Sequence, residues 1–482
     1  MNAAKTSLSN RMNGLKCDKS VTQIISNHRN RTMQVPPVPH AHPTKRTMQS
    51  MKSIQRALLA TSLLGCISAQ AGEEPMTDAV ATDAPVSNAS GLLLGKFPGE
   101  TAWDRAWSGF TLYKNDDNQI LQEFSLQGRL QVQTIYGEDG GDSFNTSDYK
   151  DAGNDETVWG NDFESRRARF GFKSKWFQNW KFEGQIDVDT DGRDGLSDDH
   201  TLYKNIYDLY ITYAQSDALN ISAGKTKVKF SREQEISSKE ILTIERSLLS
   251  NTLFPGELTG VWVNGKGISE HWLYELGIYG SDRQREFSTF NQGVIVLGKI
   301  GYDYSTQAGL DSAVAAFHYM HNSEPGYKSP KVESNYSFGT SPAFTDSIAL
   351  TNDITHGRFG LTTELLYGFG FTGTPEDAKA IDQSNVFGLT IIPSYFIADG
   401  LQLVGRLQLA TCSDPDDLRV PRYERLVAGD DESGNTYSSA YVGLNYYLYG
   451  HKLKLMNGIE YSKMGGGDYD GYTLMSALRF SF

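Results

Sequence analysis

A chain of 482 residues has room for several soluble domains or for one large barrel. Its formal net charge of -13 argues against a general nucleic-acid role, so no nucleic-acid partner is expected. Its three cysteines, Cys17, Cys66 and Cys412, exclude a disulfide-dense scaffold.

Residues 1–50 are polar and basic, with Pro36-Pro37-Val38-Pro39, and make a poor start for a domain. They read as a disordered or mis-called extension, and His28, His40 and His42 within it do not count as a metal site. Met51 opens a better beginning. Lys52 and Arg56 form a basic n-region, Ala57 to Ile67 a short apolar run, and Ala69-Gln70-Ala71 a small-residue cleavage site. Residues 51–71 are therefore expected to be a secretory signal peptide. A rival reading is a lipoprotein signal, since Leu63-Leu64-Gly65-Cys66 resembles a lipobox. Residues 72–115 are expected to form a periplasmic lead-in. Its first part is rich in Ala, Asp, Glu, Pro and Ser and is expected to be disordered. Leu92 to Lys114, with Trp103, Trp107, Phe110 and Tyr113, is expected to pack as a short helix or plug.

Downstream no apolar run is long enough for a membrane helix. The hairpin from Phe163 to Asp189 sets the pattern instead. Successive side chains of a strand point to opposite faces. Ala168, Phe170 and Phe172 share one face and Arg167, Arg169 and Lys173 the other. After a turn at Phe177-Gln178-Asn179, Trp180, Phe182, Ile186 and Val188 alternate with Lys181, Glu183, Gln185, Asp187 and Asp189. A soluble sandwich buries the greasy face, whereas a membrane barrel turns it to lipid.

The rest of the chain separates these two. About sixteen alternating segments follow from residue 121 to residue 482, each near the length of a tilted membrane strand. Their connections alternate long and short. Short turns fall at Gln215-Ser216, Asn264 to Ser269, Ala398-Asp399 and Gly450-His451, and long loops at 229–257, 322–343, 371–384 and 413–436. This parity is that of an outer-membrane barrel with long loops outside the cell, and a sandwich has no reason to keep it. Rings beside the turns, Trp176, Trp180, Tyr446, Tyr447 and Tyr449, fit an interfacial girdle. In the final strand Tyr472, Leu474, Leu478, Phe480 and Phe482 share one face. A terminal strand with an aromatic last residue resembles the assembly signal of bacterial outer-membrane barrels, which makes the barrel assembly machinery an expected partner. The expected fold is all-β, a transmembrane antiparallel barrel over 116–482. Within the third long loop, Ser237 or Ser238 would cap a helix carrying Ile241, Leu242, Ile244, Leu248 and Leu249. Its apolar stripe predicts that 229–257 folds into the pore. The competing reading is a lid packed on a neighbouring subunit.

Together these stretches resemble the phosphate-selective porin O and P family. The motifs that carry the resemblance are Arg166-Arg167-Ala168-Arg169-Phe170-Gly171, Gly224-Lys225-Thr226-Lys227-Val228, Arg246-Ser247-Leu248 and Gly443-Leu444-Asn445-Tyr446-Tyr447 with Lys452-Leu453-Lys454. Leu112-Tyr113-Lys114 and Gly128-Arg129 extend it upstream, over roughly residues 110 to 482. The resemblance implies a homotrimer of sixteen-stranded channels in the Gram-negative outer membrane, among its lipid and lipopolysaccharide, with basic lumenal residues that pass anions. Where the family often has proline after the Lys-Val of the loop approach, this chain has Lys229.

Arg129, Arg167, Arg169, Lys173, Lys225 and Lys229 are the candidate anion-pathway residues. An Arg or Lys facing lipid at the midplane costs about 2–4 kcal/mol, so these are expected to face the lumen. A guanidinium grips phosphate oxygens as a fork and stays charged. The alternative is a neutral wall network in which they pair with Glu183, Asp187 and Asp189. Asp187-x-Asp189-x-Asp191-Gly192 with Asp198 resembles a calcium loop, but it lacks the closing Glu and carries Asp194 where an apolar residue is usual. It reads as a solvated acidic loop, and no metal or cofactor is expected. Paired carboxylates on a β scaffold also raise a secreted glycosidase, but no nucleophile motif or histidine cluster supports an enzyme. A surface-binding or adhesive barrel is a further alternative. The expected function is passive diffusion of small hydrophilic anions, phosphate or polyphosphate first, the alternative being a general or weakly cation-preferring pore. The mature chain is expected to begin near Gly72, which N-terminal sequencing of the purified protein checks.

Overall fold

Period-two alternation along each segment lets neighbouring strands bury one set of side chains together and leave the other set outside. The computed structural model describes residues 101–139, 159–188, 203–326, 341–370, 385–428 and 433–482, apart from positions 268, 270, 292, 416 and 468. The extension and signal peptide expected over residues 1–71, residues 72–100 and the acidic positions Asp189, Asp191, Asp194 and Asp198 lie outside the described residues.

Sixteen antiparallel strands close into a barrel. They are β1 (Leu121–Asp139), β2 (Trp159–Trp176), β3 (Trp180–Val188), β4 (Tyr203–Ser216), β5 (Leu219–Lys227), β6 (Glu257–Lys266), β7 (Trp272–Gly280) and β8 (Val294–Asp303). They continue as β9 (Ser312–Asn322), β10 (Asp346–His356), β11 (Phe359–Phe369), β12 (Val386–Ala398), β13 (Leu401–Cys412), β14 (Thr436–Tyr449), β15 (Leu453–Gly465) and β16 (Asp470–Ser481). Each pairs with the next, and β16 returns to β1 with Ser481 opposite Arg129 and Gly471 opposite Asp139. Phe482 completes the seam by exchanging backbone hydrogen bonds of 2.9 and 3.0 Å with Gly128. The strands fall close to the expected segments. The main shift is in β10: the alternation alone places one strand at 344–352 and the next from 356, whereas β10 runs on to His356, so that Gly357, with φ +57, makes the turn instead. The turn expected at Gln215-Ser216 falls two residues later for the same reason, because β4 pairs as far as Ser216.

The two faces are inverted relative to a soluble barrel. Leu130, Phe170, Val261, Leu350, Leu407 and Val442 are large, apolar and exposed on the outside. Gln127, Arg129, Gln131 and Gln133 of β1 are polar and buried inside. An apolar band of this extent is stable against lipid and not against water. Tyr441 folds its ring inward over Gly443 and Gly458, where a Cβ would come within 2.3 Å of its hydroxyl. That close approach is the physical reason for the glycine before Leu444.

One rim carries the long connections and the other the turns. At the turn rim, helix α1 (Ala102–Ser108) starts at Thr101, whose side chain and Asp104 cap each other reciprocally. Trp107 of α1 is buried against Tyr449 and Phe480, with ring centroids 4.9 and 5.5 Å away, and its Nε1 donates to the Ser481 carbonyl at 2.7 Å. The Tyr449 hydroxyl donates to Asp104 at 2.6 Å. The strand Thr111–Lys114 then pairs with β1. Trp107→Ala deletes a buried ring at the barrel seam and is expected to cost about 3–5 kcal/mol. The check is a lower temperature of conversion from folded to unfolded protein on electrophoresis.

Candidate conduction pathway

The long connection between β5 and β6, residues 228–256, is bonded to inward-facing side chains of β1, β2, β8, β10, β11 and β13 to β16. It contains two short helical turns, α2 (Arg232–Glu235) and α3 (Leu248–Thr252). The helix expected from Ser237 is absent, and bends occupy 242–245. The reason lies in where the carbonyls go. Ser238 O accepts from Gln131 at 2.9 Å and Arg479 at 2.7 Å, Ile241 O from Lys454 at 2.9 Å, and Leu242 O from Asn445 at 2.8 Å. Ile244 O accepts from Arg479, and Glu245 O from Arg406 at 2.5 Å. A helix needs those carbonyls for its own ladder. Here donors from the wall take them, Arg406, Lys454 and Arg479 among them, and charge-assisted bonds are the stronger kind. On the opposite wall Arg232 pairs with Asp353 at 2.6 Å, Glu235 with Lys299, and Glu364 accepts from the Glu233 N–H at 2.8 Å.

Apolar side chains of the segment complete two clusters inside the barrel. Ile244 packs with Ile135, Ile392, Val404, Tyr441, Met456 and Met475. Leu248, Leu249 and Leu253 pack with Leu258, Ile295, Leu297, Met320 and Leu366. The connection between β13 and β14 joins in. Its Tyr423 belongs to the first cluster, and the Tyr423 hydroxyl donates to Glu164. Arg422 pairs with the same carboxylate at 2.8 Å. Arg166 holds Glu245 at 2.8 Å. Burial pushes the Glu245 carboxyl up, but Arg166 and then Arg167 outweigh it and hold the group well below the usual carboxylate range.

The six candidate residues occupy different places. Arg129 is buried and donates to Ser238 at 2.6 Å and Gln185 at 3.2 Å. Arg169, opposite it on β2, is bound to Asp187 at 2.6 Å and lies 3.3 Å over the Tyr207 ring. Arg167 donates to Gln131 at 3.0 Å and reaches Glu245 only at 3.9 Å. Lys173 is exposed, 3.7 Å from Glu183. Lys229 is exposed and lines the same cavity as Lys173. Lys225 does not belong with them. It pairs across the sheet with Leu209 and Thr259, on the outward face, and its ammonium is buried against the carbonyls of Gln284 and Arg285.

The cavity, of about 490 Å³, lies against β1 to β7. Lys173, Lys175, Lys181, Lys227 and Lys229 line it, against Glu123, Glu183 and Glu275. Among the described residues, Lys175, Lys181, Lys227 and Lys229 have no carboxylate oxygen within 4.0 Å. Lys175 and Lys181 stand directly opposite each other on β2 and β3. Like charges so placed repel, which favours an anion between them. Neither is among the six candidate residues, although one further step of the alternation from Lys173 and Glu183 reaches them. Arg166 is likewise not among the six. Strict alternation turns Arg166 outward, but the register shifts between Gln131 and Val132, so Arg166 is an extra residue and points inward beside Arg167. Nothing in the sequence announces that bulge.

Replacing Arg479 by Met leaves the Ser238 and Ile244 carbonyls without their charged donor, at an expected cost of about 3 kcal/mol. The check is faster protease cleavage within 237–247 of the folded protein.

The profile of the phosphate-selective porin O and P family matches residues 142–469. A search of curated proteins returns no match. Similar solved structures include the outer membrane channel DcaP of Acinetobacter baumannii, 15% identical, covering 77% of this chain and 100% of that one at a TM-score of 0.44. OmpF of Salmonella typhi, in complex with daunomycin, is 13% identical over 77% of this chain and 100% of that one, with a TM-score of 0.48. An anion-selective porin from Comamonas acidovorans is 10% identical over 74% and 99%, with a TM-score of 0.47. The family match runs from before β2 to the end of β15, over the same strands that carry the inverted faces. The chain therefore belongs to the phosphate-selective porin O and P family and is a porin of the Gram-negative outer membrane.

Proposed function

We propose that this porin passes small hydrophilic anions, phosphate or polyphosphate among them, along the wall formed by β1 to β7. The observation that carries this is the cavity wall, where five lysines face three glutamates. Fixed positive charge lowers the entry barrier for anions. On the other side of the lumen the charged groups are taken up in pairs, Arg232 with Asp353, Glu235 with Lys299 and Arg406 with Glu460. The segment 228–256 acts as the constriction, and Arg167 stands at its edge with the least committed guanidinium of the β2 row. Family membership supports a homotrimer. The general or weakly cation-preferring alternative draws on the ion-paired part of the wall, Arg169 with Asp187 and Lys173 with Glu183.

The test is the reversal potential of the purified, refolded protein in a salt gradient across planar bilayers. Anion preference is expected, and cation preference in the wild type overturns the assignment. Arg167→Ala together with Arg169→Ala is expected to lower that preference, with the larger share from Arg167. Lys175→Met with Lys181→Met is expected to lower it further and to weaken block of chloride current by phosphate. Unchanged selectivity in all four positions would show that these residues are structural.

A further inference from the structure

The connection between β7 and β8, residues 281–293, folds back over the outside of the barrel. Lys225 gives the direction, because side chains opposite each other across a sheet share a face. Its partners are Leu209 and Thr259, and the outward row continues through exposed Ile221 and Val261. Lys225 is nonetheless only 1% exposed, because its Nζ donates to the carbonyls of Gln284 at 2.5 Å and Arg285 at 2.9 Å. Three more bonds fasten the connection to this outer wall. Ser288 N donates to Thr259 Oγ1 at 2.8 Å, Ile206 N to the Arg285 carbonyl at 2.9 Å, and the Tyr203 hydroxyl to Glu286 at 3.1 Å.

The connection is also stiff. The Asp282 carboxylate accepts from Thr289 N at 2.7 Å, Thr289 Oγ1 at 2.6 Å, Phe290 N at 3.2 Å and the Ser288 hydroxyl. These bonds hold Phe290 at φ +57, a backbone conformation that phenylalanine rarely adopts. Arg283 donates to the carbonyls of Phe254 and Pro255 at 3.0 and 2.8 Å and anchors the other side. What this framework presents outward is two rings, Phe287 at 44% and Phe290 at 50% exposure. They lie beyond Val261 and Ile278, which are 55% and 53% exposed on the lipid face.

The physical sense follows from the row beneath. Lys225 and Thr259 interrupt the apolar outer face just below the long-loop rim. The connection satisfies their polar atoms with its own backbone and side chains and covers them with aromatic surface. We propose that residues 281–290 are a lipid-seating element, in which Phe287 and Phe290 contact the acyl chains of the outer leaflet. The surface is continuous with the barrel's lipid-facing band, and the exposed strand positions beside it, Leu209, Ile221, Val261 and Ile278, are aliphatic. The proposal rests on the outer-membrane location and not on ion selectivity.

The test places a nitroxide spin label at Phe290→Cys or Phe287→Cys, in a chain whose Cys17, Cys66 and Cys412 are replaced by serine. The protein is reconstituted in vesicles of phosphatidylethanolamine and lipopolysaccharide. A label at Val261→Cys supplies the lipid reference. Accessibility to oxygen and to a water-soluble nickel complex is then compared. The expected result is an oxygen-to-nickel ratio matching the Val261 reference and several-fold above that of a label in water. High nickel accessibility at both positions would place the rings in water and overturn the proposal. Low accessibility to both reagents would place them against a second copy of the chain and overturn it equally. Lys225→Met is expected to release the connection and raise nickel accessibility several-fold, with single-channel conductance unchanged. Two label positions guard against one variant failing to fold.

Discussion

A cation on the inner face that is buried away from water has to find its partner inside the barrel. The outer face belongs to lipid, where a charge is costly, so closure of the sheet sends Arg129, Arg406, Lys454 and Arg479 inward. Arg406 is matched by Glu460 at 2.9 Å. The others, and Arg406 as well, reach the segment 228–256. That segment is shaped by them. Its backbone gives up helical hydrogen bonds because the wall supplies charged donors, and its apolar side chains then fill the space between the donors. Attachment and shape are one event, because a carbonyl buried away from water must be paired.

The result is a lumen with two unlike halves. Against β12 to β16 the segment is pinned by Arg406, Lys454 and Arg479, and an apolar cluster around Ile244, Tyr441 and Met456 fills the space between these donors. Against β1 to β7 a cavity stays open, and its lysines are largely unmatched. Between them runs the arginine row of β2, in which Arg169 is consumed by Asp187 and Tyr207 while Arg167 is not. Successive residues on one face of the motif thus differ in role, because Arg169 meets a carboxylate on the neighbouring strand and Arg167 meets an amide.

The same bond, a buried cation on backbone carbonyls, recurs outside. Lys225 holds Gln284 and Arg285 as Lys454 holds Ile241. In both places a lysine on a strand organises a loop whose sequence alone does not say where it lies.

The sequence by itself determined the barrel, its strand count, the parity of long and short connections, and which residues of β2 and β3 face together. These are consequences of a period of two and of turn placement, both local properties. It also placed Arg167, Arg169 and Lys173 on one face of the same strand. Tertiary structure decided the rest. The bulge that turns Arg166 inward depends on how β1 meets β2. The missing helix after Ser237 depends on donors from β1, β13, β14, β15 and β16, more than a hundred residues away in most cases. The outward direction of Lys225 was present in the alternation, but the motif around it drew attention to the lumen instead. Only the register with Leu209 and Thr259, and the connection that closes over it, show that its charge serves the outer wall. Local pattern fixes which face a residue takes, and the partner waiting on that face is a property of the closed barrel.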